Sequence, residues 1–170
     1  MHPILSERLI LKPLTKLMIP KLLQVYSKQK NMQHISSGKY HWTLDDLSRK
    51  YASIQKTEGF GIFAIYLKET DEIIGEAGLF NSFNSRRKAE LGYIIDEAYW
   101  KKGLGTELCL LLINYCLTST NFSILIARMY ADNTGSINVS EKCGMKKVAS
   151  HRTAGGRVYF EYQIALSTSA

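Results

Sequence analysis

The sequence predicts a mixed α/β (α+β) fold, a mostly antiparallel sheet of about seven strands flanked by about four helices. Three observations carry this reading. Two strand-length apolar segments, 60–67 and 73–81, are joined by the short polar connection 68–72, and strands linked so briefly form an antiparallel meander. Residues 89–95 are rich in β-branched and aromatic side chains and lead through a glycine-bearing turn into Leu108–Ile113, a run apolar enough to demand a buried helix. A further strand-length segment, 122–130, follows that helix, so it is expected parallel to 89–95 with a right-handed crossover. All 170 residues are expected to form one domain, because a chain of this length can bury a proper core.

The remaining elements follow in order. Residues 6–14 open with a strand that Pro13 helps to end. Thr15 is the expected N-cap of a helix carrying Leu17, Ile19, Leu22, Leu23 and Tyr26, with Pro20 near the first turn where it costs least. Residues 31–41 are polar, contain Gly38, and read as a loop; its His34 and His41 either meet substrate or are solvated. Thr43, with Asp45 and Asp46 behind it, caps a helix whose apolar face is Leu44, Leu47, Tyr51 and Ile54. Residues 82–88, with Arg86 and Arg87, form a basic loop. Asn133 and Gly144 suit the two ends of a short helix, and strands at 145–150 and 157–166 are joined by an Ala154-Gly155-Gly156 turn.

Composition limits the function classes. Hydrophobic residues make up 45% and charged residues 22%, the proportions of a soluble globular protein. The longest apolar run, 108–117, is broken by Asn114 and is too short to span a bilayer. No apolar segment of a leader follows the start, and Cys109, Cys116 and Cys143 show no metal-ligand spacing, so a reducing, cytoplasmic setting is expected. The net charge of +7 predicts affinity for anions. The basic residues are dispersed along the chain, which does not favour nucleic acid as the partner.

The anion site is expected where the central strand meets the buried helix. Trp100-Lys101-Lys102-Gly103-Leu104-Gly105-Thr106 puts free N–H groups at a helix N-terminus, two glycines that admit close approach, and two lysines. A dinucleotide fingerprint would need a third glycine at position 108, which is Leu, and no P-loop run exists. The stretch resembles the acyl-CoA loop of the Gcn5-related N-acetyltransferases (GNAT). Trp100 stands where Arg or Gln is usual, but Tyr99-Trp100-x-Lys102-Gly103-x-Gly105-Thr106-Glu107 is similar to the RimJ/RimL-type branch. Two more segments share the resemblance: the opening Glu7-Arg8-Leu9-x-Leu11-x-Pro13-Leu14, and Asn133-x-x-Ser136-x-x-Val139-x-x-Lys142-x-Gly144-Met145, with Met145 in place of Phe. Together they cover nearly the whole chain, from Glu7 to Leu166.

The resemblance implies the GNAT fold, with the sheet splayed between the fourth and fifth predicted strands. It implies acetyl-CoA in that gap, its pantetheine arm on the backbone near Ile94 and Ile95 and its pyrophosphate on the loop from Trp100 through Lys101, Lys102, Gly103, Leu104 and Gly105 to Thr106. Asn133 is expected to hold the arm from the other side, and Ser140 to reprotonate the departing thiolate. For deprotonating the amine, the strand carboxylates are Glu76, Glu90 and Glu161. Glu90 is favoured because it lies in a mostly apolar strand beside the gap, although a salt bridge to Arg86 or Arg128 is the alternative. The implied activity is acetyl-CoA-dependent N-acetyl transfer to a primary amine, on a protein N-terminus or a small molecule. A catalytically silent acyl-CoA-binding module is the reading from another class. The expected partner is thus an amine-bearing acceptor, met through residues 31–43 and 82–88, with no metal, no membrane, and a monomer or homodimer.

Overall fold

The structure is a computed structural model that describes residues 2–35, 39, 41–53 and 60–166. Eight strands form one sheet: β1 (Ile4–Leu5), β2 (Leu9–Pro13), β3 (Gly61–Leu67), β4 (Glu72–Phe80), β5 (Lys88–Ile95), β6 (Ile124–Tyr130), β7 (Lys146–Arg152) and β8 (Val158–Ala165). Their spatial order is β1-β2-β3-β4-β5-β6-β8-β7. Every neighbouring pair is antiparallel except β5 and β6, which are parallel, as the intervening helix requires. The expected sheet of about seven strands gains only β1, two residues pairing with Leu11 and Ile10 and too short to signal itself in sequence.

Helix α1 (Ile19–Tyr26), α2 (Gln29–Met32) and α3 (Leu44–Ser53) lie on one face, where Ile19, Val25, Tyr26, Met32 and Leu47 pack with Ile94 of β5. The other face carries α4 (Leu104–Ser119) and α5 (Thr134–Lys142). There Leu104, Leu108 and Leu112 meet Leu9, Phe63, Leu79 and Leu125 in the main core. Each such side chain taken fully out of water contributes roughly 1.5–3 kcal/mol. Cys109 and Cys116 act as small apolar fillers of this core, and burial pushes the Cys116 thiol up to about 12.

Among the described residues there are five helices, where about four were expected. The first is shorter than predicted: Thr15 makes no side-chain cap, residues 16–18 form a 3₁₀ turn, and α1 begins at Ile19 with Pro20 in its first turn. The change of phase turns Leu17 out to solvent, 93% exposed, rather than into the apolar face. Helix α2 was not expected in a polar loop. It is held by buried Asn31, whose Nδ2 donates to the Val25 carbonyl at 2.8 Å and whose Oδ1 accepts the Glu97 N–H at 2.8 Å. Thr43 and Asp46 form the cap expected of α3, each side chain bonding the other's N–H at 3.1 and 2.9 Å. Leu47 of that helix is buried, whereas Leu44 is 49% exposed; Ile54 and Gly38 lie outside the described residues.

Candidate active site

The sheet opens at its centre. Strand β5 stays paired with β4 through Gly75↔Ile95, but with β6 only as far as Leu91↔Ala127. Strand β6 continues to pair with β8 through Tyr130↔Tyr159, so each side of the gap is zipped to its own outer neighbour. Gly75 permits the first of these: a Cβ there would stand 2.0 Å from the Ile94 carbonyl oxygen. The Asp96 N–H donates to the Ile74 carbonyl, so by antiparallel alternation residues 90, 92 and 94 bond to β4. The peptide groups of Tyr93 and Ile95 therefore face the gap, where β6 has moved away. Ile94, expected beside Ile95 at the ligand, lines the cleft, but its peptide groups bond to β4 and its side chain packs in the α1–α3 cluster.

The glycine turn sits over one end of the gap. Lys101 and Gly103 both have left-handed backbone, φ 60° and 78°, which swings the chain from the strand exit into α4. Lys101 and Lys102 are exposed, Leu104 is anchored in the core, and Gly105 and Thr106 form the first turn of α4. Gly105 lies close to α5: a Cβ on it would meet Val139 at 3.3 Å and the Tyr93 hydroxyl at 3.8 Å. Trp100 folds back so that its Nε1 donates to the Ile95 carbonyl at 2.7 Å, leaving the Ile95 N–H directed at the gap. Behind the turn, Glu107 accepts bonds from the Ser6 hydroxyl (2.6 Å), the Arg8 N–H (2.7 Å) and the Arg8 Nε (2.7 Å), while Arg8 Nη1 holds the Lys102 carbonyl at 2.9 Å. Burial alone would raise the Glu107 carboxyl, but the bonds from Ser6 and Arg8 outweigh it and hold it below the ordinary range.

Across the gap, Asn133 caps α5 by accepting the Ser136 N–H at 3.1 Å, which leaves its amide nitrogen for a ligand. Ser140 is 4% exposed, and its hydroxyl donates to the Met129 sulfur at 3.8 Å, a weak partner. Burial pushes the Tyr93 phenol up to about 12, against the opposing effect of a hydrogen bond with Ser136. These residues, with Glu76, Glu90 and Arg128, line one cleft of about 1040 Å³ that passes through the gap.

The three strand carboxylates differ in their surroundings. Glu76 is buried and accepts from the hydroxyls of Tyr26 and Tyr51 and from Lys50 Nζ at 2.5 Å. Glu161 is held by Arg128 Nε at 3.1 Å and Gln163 at 3.1 Å. Glu90 stands 3.7 Å from the same Arg128, which is the ion-pair alternative weighed from the sequence; Arg86 is not its partner among the described residues. Of the loop histidines, His34 lies 3.5 Å from Asp132 and beside Arg157 at the cleft. Sequence reasoning missed Tyr93 and the Tyr26–Lys50–Tyr51–Glu76 network. A tyrosine at an apolar helix position was the available signal, since a buried hydroxyl needs a partner.

Among the described residues, no group of three or more His, Cys, Asp or Glu is placed to hold a metal, and no helix is long and apolar enough to cross a membrane. Residues 8–146 match the family model for the acetyltransferase (GNAT) domain, and the chain belongs to that family. It is 34% identical over 108 residues to the uncharacterised N-acetyltransferase p20 of Bacillus licheniformis, a match covering 61% of this chain and 60% of that one. It is 24% identical over 156 residues to the uncharacterised N-acetyltransferase YoaA of Bacillus subtilis, covering 86% and 85%. A second Bacillus subtilis relative, the uncharacterised N-acetyltransferase YjdG, is matched over 57% of its length at 31% identity. The chain thus spans about 60% of the length of p20 and 57% of that of YjdG. Among solved structures, a GNAT-family acetyltransferase from Bacillus anthracis superposes with a TM-score of 0.85 at 19% identity over 97% of this chain and 99% of that one. The ribosomal-protein α-N-acetyltransferase RimL in complex with coenzyme A gives 0.84 at 17% over 97% and 98%. Spermidine N-acetyltransferase from Vibrio cholerae, with CoA and spermine, gives 0.82 at 16% over 95% and 97%.

Proposed function

We propose that this protein is an acetyl-CoA-dependent N-acetyltransferase acting on a primary amine. The observation that carries the reading is the gap beside β5, where the peptide groups of Tyr93 and Ile95 are left without a strand partner under the N-terminus of α4. An extended amide-bearing arm would complete that edge as an added strand does. The cradle fits a phosphate-bearing ligand: left-handed Gly103, the first-turn N–H groups, and two exposed lysines. Family membership and coenzyme A in two structural neighbours support the same ligand.

When bound, acetyl-CoA supplies the activated acetyl group as a thioester. The chain's own residues then have three tasks. The Ile95 N–H is aimed into the gap as a donor for the negative charge that develops on the acetyl oxygen. Ser140, buried and bonded among the described residues only to a sulfur, gives a proton to the departing thiolate. Glu90 is the least constrained of the three carboxylates, since Glu76 already accepts three donors and Glu161 two, and takes the amine proton directly or through water.

Purified protein mixed with acetyl-CoA and a panel of peptides and small amines tests the reading through release of free CoA thiol. Thiol release that depends on an added amine is expected. CoA alone should raise the melting temperature, a ligand at about a hundred times its Kd contributing roughly 2.7 kcal/mol. A CoA-induced shift with no amine-dependent thiol release would favour the catalytically silent acyl-CoA-binding module instead.

A further inference from the structure

We infer that the acceptor is an α-amine whose own carbon bears a carbonyl or carboxylate group, as in an amino acid or a peptide N-terminus, and that Lys50 selects it. The inference rests on the acetyl transfer to a primary amine proposed above. On the α1–α3 side of the cleft, Lys50 is fixed rather than solvated. Its ammonium donates to the Tyr26 hydroxyl and to Glu76 Oε1, and it lies over the rings of Tyr26 at 4.7 Å and Tyr51 at 5.0 Å. A lysine ammonium has three N–H donors, and among the described residues two are taken. The third is available to a ligand oxygen.

The level of this ammonium on the sheet matters. Glu76 is the register partner of Ile94, so the carboxylate that holds Lys50 is level with the stretch of β5 whose Tyr93 and Ile95 peptide groups face the gap, and Lys50 lines the same cleft. Its surroundings keep it in place. Burial and the neighbouring Glu76 charge push the phenols of Tyr26 and Tyr51 far above their ordinary value, so both remain neutral donors to the carboxylate.

The same site disfavours a polyamine. A second or third ammonium needs an unneutralised carboxylate to bind. The carboxylates lining the cleft, Glu76, Glu90 and Asp132, stand 2.5, 3.7 and 3.0 Å from Lys50, Arg128 and Arg157 respectively. A polycation would meet cations already seated there and would leave the spare Lys50 donor unsatisfied. An α-amine places its nitrogen and its oxygen three bonds apart, with the oxygen as acceptor for Lys50.

The test compares kcat/KM, by thiol release, for an unblocked tripeptide, the free amino acid of its first residue, the alkylamine lacking that carbonyl, and spermidine. A charge-assisted hydrogen bond predicts that the better α-amine exceeds the alkylamine and spermidine by about ten- to a hundredfold. The tripeptide and free amino acid arms identify which source of the α-amine is used. Lys50→Met should erase the preference, chiefly through KM, while the CoA-induced melting shift persists; Lys50→Arg should keep it. Spermidine or the alkylamine matching both α-amines would overturn the inference and leave acetyl transfer standing. A CoA-binding Lys50→Met variant with the parent's preference would also overturn it. Absence of thiol release with every amine would overturn both readings. The parent panel decides the matter whether or not Lys50→Met folds.

Discussion

Arg8 and Glu107, 99 positions apart, meet through two contacts at 2.7 Å, one from the Arg8 backbone N–H and one from its guanidinium. This pair joins the first motif of the chain to the second. It ties the start of β2 to the first turn of α4, and the same guanidinium holds the Lys102 carbonyl, so the glycine turn is braced from behind.

Removing that brace should have a pH signature. The folded-state Glu107 carboxyl is depressed, so its contribution to stability is present above its unfolded pKa, roughly 4.3. The contribution is lost as pH falls through the lower folded value. Glu107→Gln should therefore lower Tm at neutral pH, and its deficit relative to the parent should shrink below about pH 4 as the parent's carboxyl protonates. Thermal melts from pH 3 to 7 check this; a deficit that is constant across the range would show that the charge is not what holds the turn.

Lys101 and Lys102 are exposed at the mouth of the turn, and in the proposed reading their side chains supply charge to the cradle. The double change to Ala should weaken CoA binding and flatten its salt dependence while leaving turnover at saturating acetyl-CoA nearly unchanged. Titrations at two ionic strengths, alongside saturated rates, test the assignment. A large fall in saturated turnover with normal affinity contradicts it.

The core beneath the site is expected to behave conventionally. Leu108→Ala removes a fully buried side chain from the seam between α4 and the sheet and should cost about 2–5 kcal/mol in denaturant unfolding. A loss under about 1 kcal/mol would mean that the site collapses around the missing atoms.

Acid and base separate by pH. General acid or base groups contribute about 10²–10⁴-fold. Glu90→Gln should lose most activity at low pH and recover part of it as pH rises and free amine becomes abundant. Ser140→Ala, whose defect lies at the leaving group, should show no such recovery. Matching pH–rate profiles for Glu90→Gln and the parent, at comparable rates, would remove Glu90 from the role.

Much of the architecture was legible because it is local. The apolar run of α4, the Thr43 cap and the strand-length segments each follow from side chains close in sequence. The first helix misled because a 3₁₀ turn at 16–18 shifts the phase of the pattern, placing Leu17 outside. The glycine turn was visible as a helix entry, but the choice between Ile94 and Tyr93 depends on which neighbour each peptide group bonds, and that is fixed by pairing with β4. The network around Glu76 joins side chains 24 to 50 positions apart and leaves no local trace.

The central claim is that the edge of β5 facing the gap receives the acyl-CoA arm. Residue-resolved amide hydrogen exchange across 91–96, with and without CoA, tests it most directly. The account predicts that CoA slows exchange at Tyr93 and Ile95, and leaves Ile94, already bonded to β4, nearly unchanged. Unaltered exchange at Tyr93 and Ile95 in CoA-saturated protein would contradict it.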